Sequence, residues 1–80
     1  MFIESKFFEK GKKYIVLNSF SSGDFFEINE ELVFNTSWFN RYDCCYVFEF
    51  NLHEGSRKMF WVTTQEQLLE IEKNFRFIKE

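Results

Sequence analysis

The chain contains no alanine and no proline, and its 80 residues include only three glycines, two cysteines and one histidine. Each shortage excludes something. Alanine is the strongest helix former, so its absence tilts the chain away from a helical bundle. With glycines only at positions 11, 23 and 55, neither a dinucleotide-binding nor a P-loop fingerprint can be written. Cys44, Cys45 and His53 are too few for a structural zinc site, which needs about four such ligands. The spacing of a calcium-binding EF-hand loop is also missing. No metal and no cofactor is therefore expected. The longest apolar run, Cys44 to Phe48, falls far short of the ~18 residues of a membrane helix. Glu4 and Lys6 interrupt the N-terminus before a signal-type stretch can form. These features predict a cytoplasmic protein without membrane association. Cys44 and Cys45 are neighbours, and successive strand residues point to opposite faces, so they cannot form an ordinary disulfide together. Reduced thiols are expected, one buried and one nearer the surface.

Aromatic residues are abundant: thirteen Phe, three Tyr and two Trp make up 22% of the chain. Aromatic and β-branched side chains suit a pleated, half-buried surface. With 45% hydrophobic and 29% charged residues the chain reads as one globular domain over residues 1–80. Ten Lys and Arg against thirteen Asp and Glu leave a net charge of -3, without the basic excess that supplies most nucleic-acid affinity.

Periodicity suggests the elements. Met1 to Lys10, carrying Phe2, Ile3, Phe7 and Phe8, forms a helical turn lidding a sheet or an edge strand. A first strand is expected from Lys12 to Phe20, then a Ser21-Ser22-Gly23-Asp24 turn. Phe25 to Glu31 reads as an arm crossing the end of the sheet, with Asn29 tolerating a left-handed backbone. A second strand begins near Leu32, bends or bulges at Asn35 to Ser37, and continues to Tyr42. Cys44 to His53 alternates cleanly and turns at Gly55 into a fourth strand, Arg57 to Thr63. Thr63 and Glu66 read as a capping box, and Leu68, Ile71 and Phe75 as the apolar stripe of a C-terminal helix. Phe77 and Ile78 tie down the tail. The predicted fold is mainly β, a small SH3-like barrel or strongly curved antiparallel sheet of four to five strands with one C-terminal helix. The alternative is a flat antiparallel sheet with the helix on one face.

Gly11-Lys12-Lys13-Tyr14-Ile15-Val16, Phe20-Ser21-Ser22-Gly23-Asp24-Phe25, Glu30 to Phe34, Arg41-Tyr42-Asp43 and Tyr46 to Phe50 together resemble an uncharacterised family of small bacterial domains with an SH3-like barrel. The resemblance spans residues 11–62, and Asn29 stands where that family's pattern has a glycine. It implies a fold and no activity.

No catalytic constellation emerges. Cys45 and His53 share a strand face, yet eight residues of strand separate them by about 26 Å. Asp24, Glu27, Glu30 and Glu31, and the helix residues Glu66, Glu70 and Glu72, form either solvated faces or an acidic surface for a basic partner. The aromatic surplus is the most informative feature. Trp38, Phe39 and Tyr42 surround Arg41, and Trp, Tyr and Arg dominate interface hot spots. Either these rings wrap both sides of a thin sheet, or some form an exposed patch. The second reading makes the protein a non-catalytic protein-binding domain of inhibitor, immunity or antidefence type. Trp38, Arg41 and Tyr42 would be its anchors, with Phe25 and Phe26 as the rim. Exposed rings on an unpaired edge would also allow a homodimer. The alternative is a single-stranded nucleic-acid module using Lys12, Lys13, Arg57 and Lys58 with Tyr14 or Trp61.

Overall fold

The computed structural model describes residues 3–79. Five antiparallel strands form the main sheet in the order β6-β5-β4-β1-β7. These are β1 (Lys13–Val16), β4 (Glu31–Asn40), β5 (Cys45–Asn51), β6 (Arg57–Val62) and β7 (Phe75–Ile78). A separate two-stranded ribbon, β2 (Phe20–Ser22) and β3 (Asp24–Phe26), lies against β6, and α1 (Gln65–Glu72) precedes β7.

Alternation in β5 sends Phe48 and Phe50 to one face and Val47 and Glu49 to the other. The first face holds the core. There Phe8 sits among Tyr14, Phe34, Phe50 and Phe75, at ring separations of 5.1, 5.6, 5.1 and 5.1 Å. Edge-to-face packing lets many rings share a small interior without voids. Phe8 belongs to an N-terminal lid without regular structure; Phe2 lies outside the described residues. Five hydrogen bonds hold the lid down. Tyr14 Oη donates to Phe7 O (2.9 Å) and accepts from Glu9 N (2.8 Å). Ser5 Oγ donates to Glu72 (2.6 Å), while Gln65 exchanges bonds of 3.1 and 2.9 Å with the backbone of Glu4.

Local departures from the sequence pattern have physical causes. The expected first strand stops at Val16, whose N–H donates to Glu30 O and whose carbonyl accepts from Asn29 N, so the ladder to β4 ends there. Asn29 makes that turn at φ 72°. Phe25 and Phe26 of the expected arm, together with Asp24 of the expected turn, form instead a strand of the ribbon. The helix cap lies one residue later than predicted: Thr64 Oγ1 accepts from Gln67 N, and Gln67 Oε1 accepts from Thr63 N. The helix ends at Glu72, and Phe75 reaches the core from β7, which pairs with β1. The ladders among the described residues do not join β6 to β7, so no closed barrel is found.

One irregularity controls which side chains face outward. A bulge between Phe34 and Thr36 inserts Asn35 into β4. Before it, Leu32 and Phe34 face the core; after it, Ser37 and Phe39 pair with the core-facing residues Phe48 and Tyr46. Were Asn35 instead paired as an ordinary ladder residue, Trp38 would share the parity of Phe34 and point inward.

Candidate docking face

The lid, α1 and the ribbon pack on the core side of the sheet, through Phe8, Leu68 and Phe26. Among the described residues the opposite face stays open. Its central feature follows from register: Trp38 in β4 is the cross-strand partner of Val47 in β5, and Val47 is the partner of Trp61 in β6. Direct partners lie on one face about 5 Å apart. Val47 is thus buried between two indoles that are themselves 40% and 48% exposed. Gly23 fixes Trp61, because a Cβ built there would lie 2.7 Å from the indole ring. Only a glycine at the ribbon turn allows that contact.

The next row holds Glu49, buried between Thr36 and Met59. Asn35 Nδ2 donates to Glu49 Oε2, and Arg57 Nη1 stands 3.6 Å from Oε1. Bulge and carboxylate are therefore linked, since the inserted residue supplies the amide that satisfies the buried charge. Farther along lie Lys13, Ile15, Glu31, Val33, Arg76 and Ile78, placed on this face by their pairing with one another. Exposed charges along the face are Lys13, Arg57 and Arg76 against Glu31. With the buried Glu49 included, three cations stand against two carboxylates, a slight cationic excess on a chain of net charge -3.

The β4–β5 turn extends one end of this surface. Asn40 Oδ1 accepts from the amides of Tyr42 (3.0 Å) and Asp43 (3.3 Å), an Asx-type turn. It leaves Tyr42 98% exposed at the tip, with Arg41 exposed beside it. Cys44 follows at φ 49° and is exposed, while Cys45 is buried. Burial, with Asp43 and Cys44 nearby, pushes the Cys45 thiol above its ordinary range.

Of the five residues expected to bind a partner, Trp38, Arg41 and Tyr42 occupy this end of the β4–β5 hairpin. Phe25 is exposed but belongs to the ribbon. Phe26 is not rim at all. It is wholly buried, stacked on Phe20 at 4.8 Å, because the ribbon turns that face of β3 into the core. Sequence reasoning missed Val47 as the floor between the indoles; the signal was the outward parity of β5, readable only with the register of β4 and β6.

The other expected groups have local roles. Tyr14 is buried and presents no ring to a ligand. Lys58 Nζ contacts Glu30 Oε1 (2.7 Å) and Phe25 O (2.6 Å). Asp24 accepts from Met59 N, Glu70 pairs with Lys73, and Glu72 accepts from Ser5. Cys45 begins β5, and His53 lies in the turn beyond its far end. Among the described residues no group of three His, Cys, Asp or Glu could hold a metal ion, and no helix is long and apolar enough to cross a membrane.

Fold and face together define a small mainly β domain with an aromatic core and one open, tryptophan-bearing sheet surface. No family model and no curated protein matches the chain. Among solved structures it is similar to an integron cassette protein from the mobile metagenome of Vibrio cholerae, with a TM-score of 0.75 at 20% identity, covering 94% of this chain and 93% of the other. At that identity the likeness concerns the fold.

Proposed function

We propose that this protein is a non-catalytic protein-binding domain, of the kind that serves as an inhibitor, immunity or antidefence protein in the cytoplasm. The observation that carries the reading is the row Trp38–Val47–Trp61, two half-exposed indoles across a buried floor on an open sheet face. Indoles bury large areas at low conformational cost and anchor interfaces, particularly beside Arg and Tyr. Arg41 and Tyr42 extend the row. The slight cationic excess of the face favours a protein that presents an apolar side chain to the indoles and carboxylates to Arg57 and Arg41. Kinship with small SH3-like barrels belongs to the same proposal, supported by the ribbon that leaves β1 and crosses to β6.

The test uses a photo-crosslinking amino acid at position 42, where 98% exposure removes any folding role. In producing cells it should yield one discrete protein adduct, which Trp38→Ala abolishes while the melting temperature stays nearly unchanged. No adduct, or one indifferent to Trp38→Ala, would sink the reading. If Trp38→Ala instead unfolds the domain, the indole is structural and the assignment fails.

A second reading has its own support. Trp38 and Trp61 share their face with Arg57 and Lys13, an arrangement that can stack and neutralise a single strand. Titration of the tryptophan fluorescence with oligo(dT) separates the two. Nucleic-acid binding would weaken steeply with added salt, whereas no quenching at low salt removes it.

A further inference from the structure

The two edges of the main sheet are treated differently. On the outer side of β6, Ser22 Oγ donates to Trp61 O (2.8 Å) and Asp24 Oδ2 accepts from Met59 N (2.9 Å). Side chains of the ribbon thus occupy two of the backbone groups that a new strand would need. On β7 nothing comparable is present among the described residues. Leu17 N donates to Asn74 O, so the pairs Leu17/Asn74, Ile15/Arg76 and Lys13/Ile78 direct their backbone groups toward each other. Alternation then sends the N–H and C=O of Phe77 and Lys79 outward. Phe77 and Lys79 are exposed, whereas Phe75 is buried.

We infer that β7 is a self-association edge, pairing antiparallel with β7 of a second copy around a two-fold axis at Ile78. Three observations select that register. It uses only the accessible groups of Phe77 and Lys79, which exchange hydrogen bonds with Lys79 and Phe77 of the second copy. It sets Ile78 against Ile78 on the open face, covering an apolar side chain that lies in the row Val33–Lys13–Ile78. It keeps like charges apart, since an axis at residue 76 would oppose Arg76 to Arg76, and an axis at residue 77 would need the buried Phe75. A symmetric pair of this kind is isologous and closes on itself. The result is a ten-stranded sheet whose open face runs continuously through both copies and carries two Trp38–Val47–Trp61 rows. This inference does not depend on the docking proposal.

The test combines mass with register. Sedimentation velocity should show a concentration-dependent species of twice 9.9 kDa. Phe77→Pro should abolish it, because proline removes an outward N–H and leaves the β1–β7 ladder intact. Single cysteines at 76, 77 and 78, each in a Cys44→Ser background, read the register without depending on that variant. Facing residues of a non-hydrogen-bonded pair stand ~4.5 Å apart, within disulfide reach. Ile78→Cys should therefore oxidise to an interchain dimer at least tenfold faster than Arg76→Cys or Phe77→Cys. A monomer at every concentration with no preference among the three cysteines overturns the inference, and so does fastest cross-linking at 76 or 77.

Discussion

Tyr14 is the side chain whose polar tip does the most for the fold. Its ring is buried against Phe7 and Phe8, and its hydroxyl serves the lid backbone on both sides, as donor to Phe7 O and acceptor from Glu9 N. Tyr14→Phe keeps the packing and leaves both backbone groups without that partner, which costs about 1–3 kcal/mol. Urea unfolding should show a lower midpoint with an unchanged slope. The same residue contributes to alkaline behaviour. Desolvation raises the Tyr14 hydroxyl above 10.0, and burial raises the Cys45 thiol above 9.0. A group with a raised folded pKa holds its proton longer folded than unfolded. Its stabilising contribution is complete below the unfolded value and disappears as pH climbs through the folded one. The urea midpoint should thus be level near neutrality and fall above about pH 9, less steeply in Cys45→Ala. A thiol reagent at pH 8 should modify Cys44 rapidly and Cys45 only as the domain opens, because one is exposed and the other buried.

At the scale of elements, what was legible in the sequence depended on how local its cause was. The alternation of β5, the turn at Gly55 and the left-handed Asn29 are written in neighbouring residues, and they were readable. The tail was not, because Phe75 satisfies both a helical i+7 spacing from Leu68 and an inward strand position. Only pairing with β1 decides between them. The ribbon was equally opaque, since Ser22 and Asp24 look like turn chemistry until β6 is placed beside them. The outward direction of Trp38 rests on Asn35, where the bend was visible but its effect on parity was not. Two variants probe these long-range devices. Gly23→Ala must displace the Trp61 indole and strains a residue at φ 83°, so it should destabilise by over ~1 kcal/mol and shift tryptophan emission. Deleting Asn35 removes the bulge and the amide partner of Glu49. By register it keeps Thr36 opposite Glu49 and Trp38 opposite Val47, so the indole should stay outward while the carboxylate keeps Arg57 alone, and the melting temperature should fall about as far as in Asn35→Ala.

At the scale of the whole molecule, two aromatic populations have to be told apart, because one sustains the fold and the other is available for recognition. The first converges on Phe8, whose ring meets residues from the lid, β1, β4, β5, β6 and β7. Truncating a buried Phe costs about 3–5 kcal/mol, while a domain of this size holds only about 4–12 kcal/mol in all. The second population, Trp38, Trp61 and Tyr42, keeps much of its surface in water, and its removal leaves the Phe8 cluster untouched. Phe8→Ala should therefore be largely unfolded at 37 °C by circular dichroism, whereas Tyr42→Ala should melt with the parent. Trp38→Ala should lie much nearer Tyr42→Ala than Phe8→Ala. Were Trp38→Ala to melt alongside Phe8→Ala, the open face would be a second core layer, and its indoles would be holding the sheet together from behind.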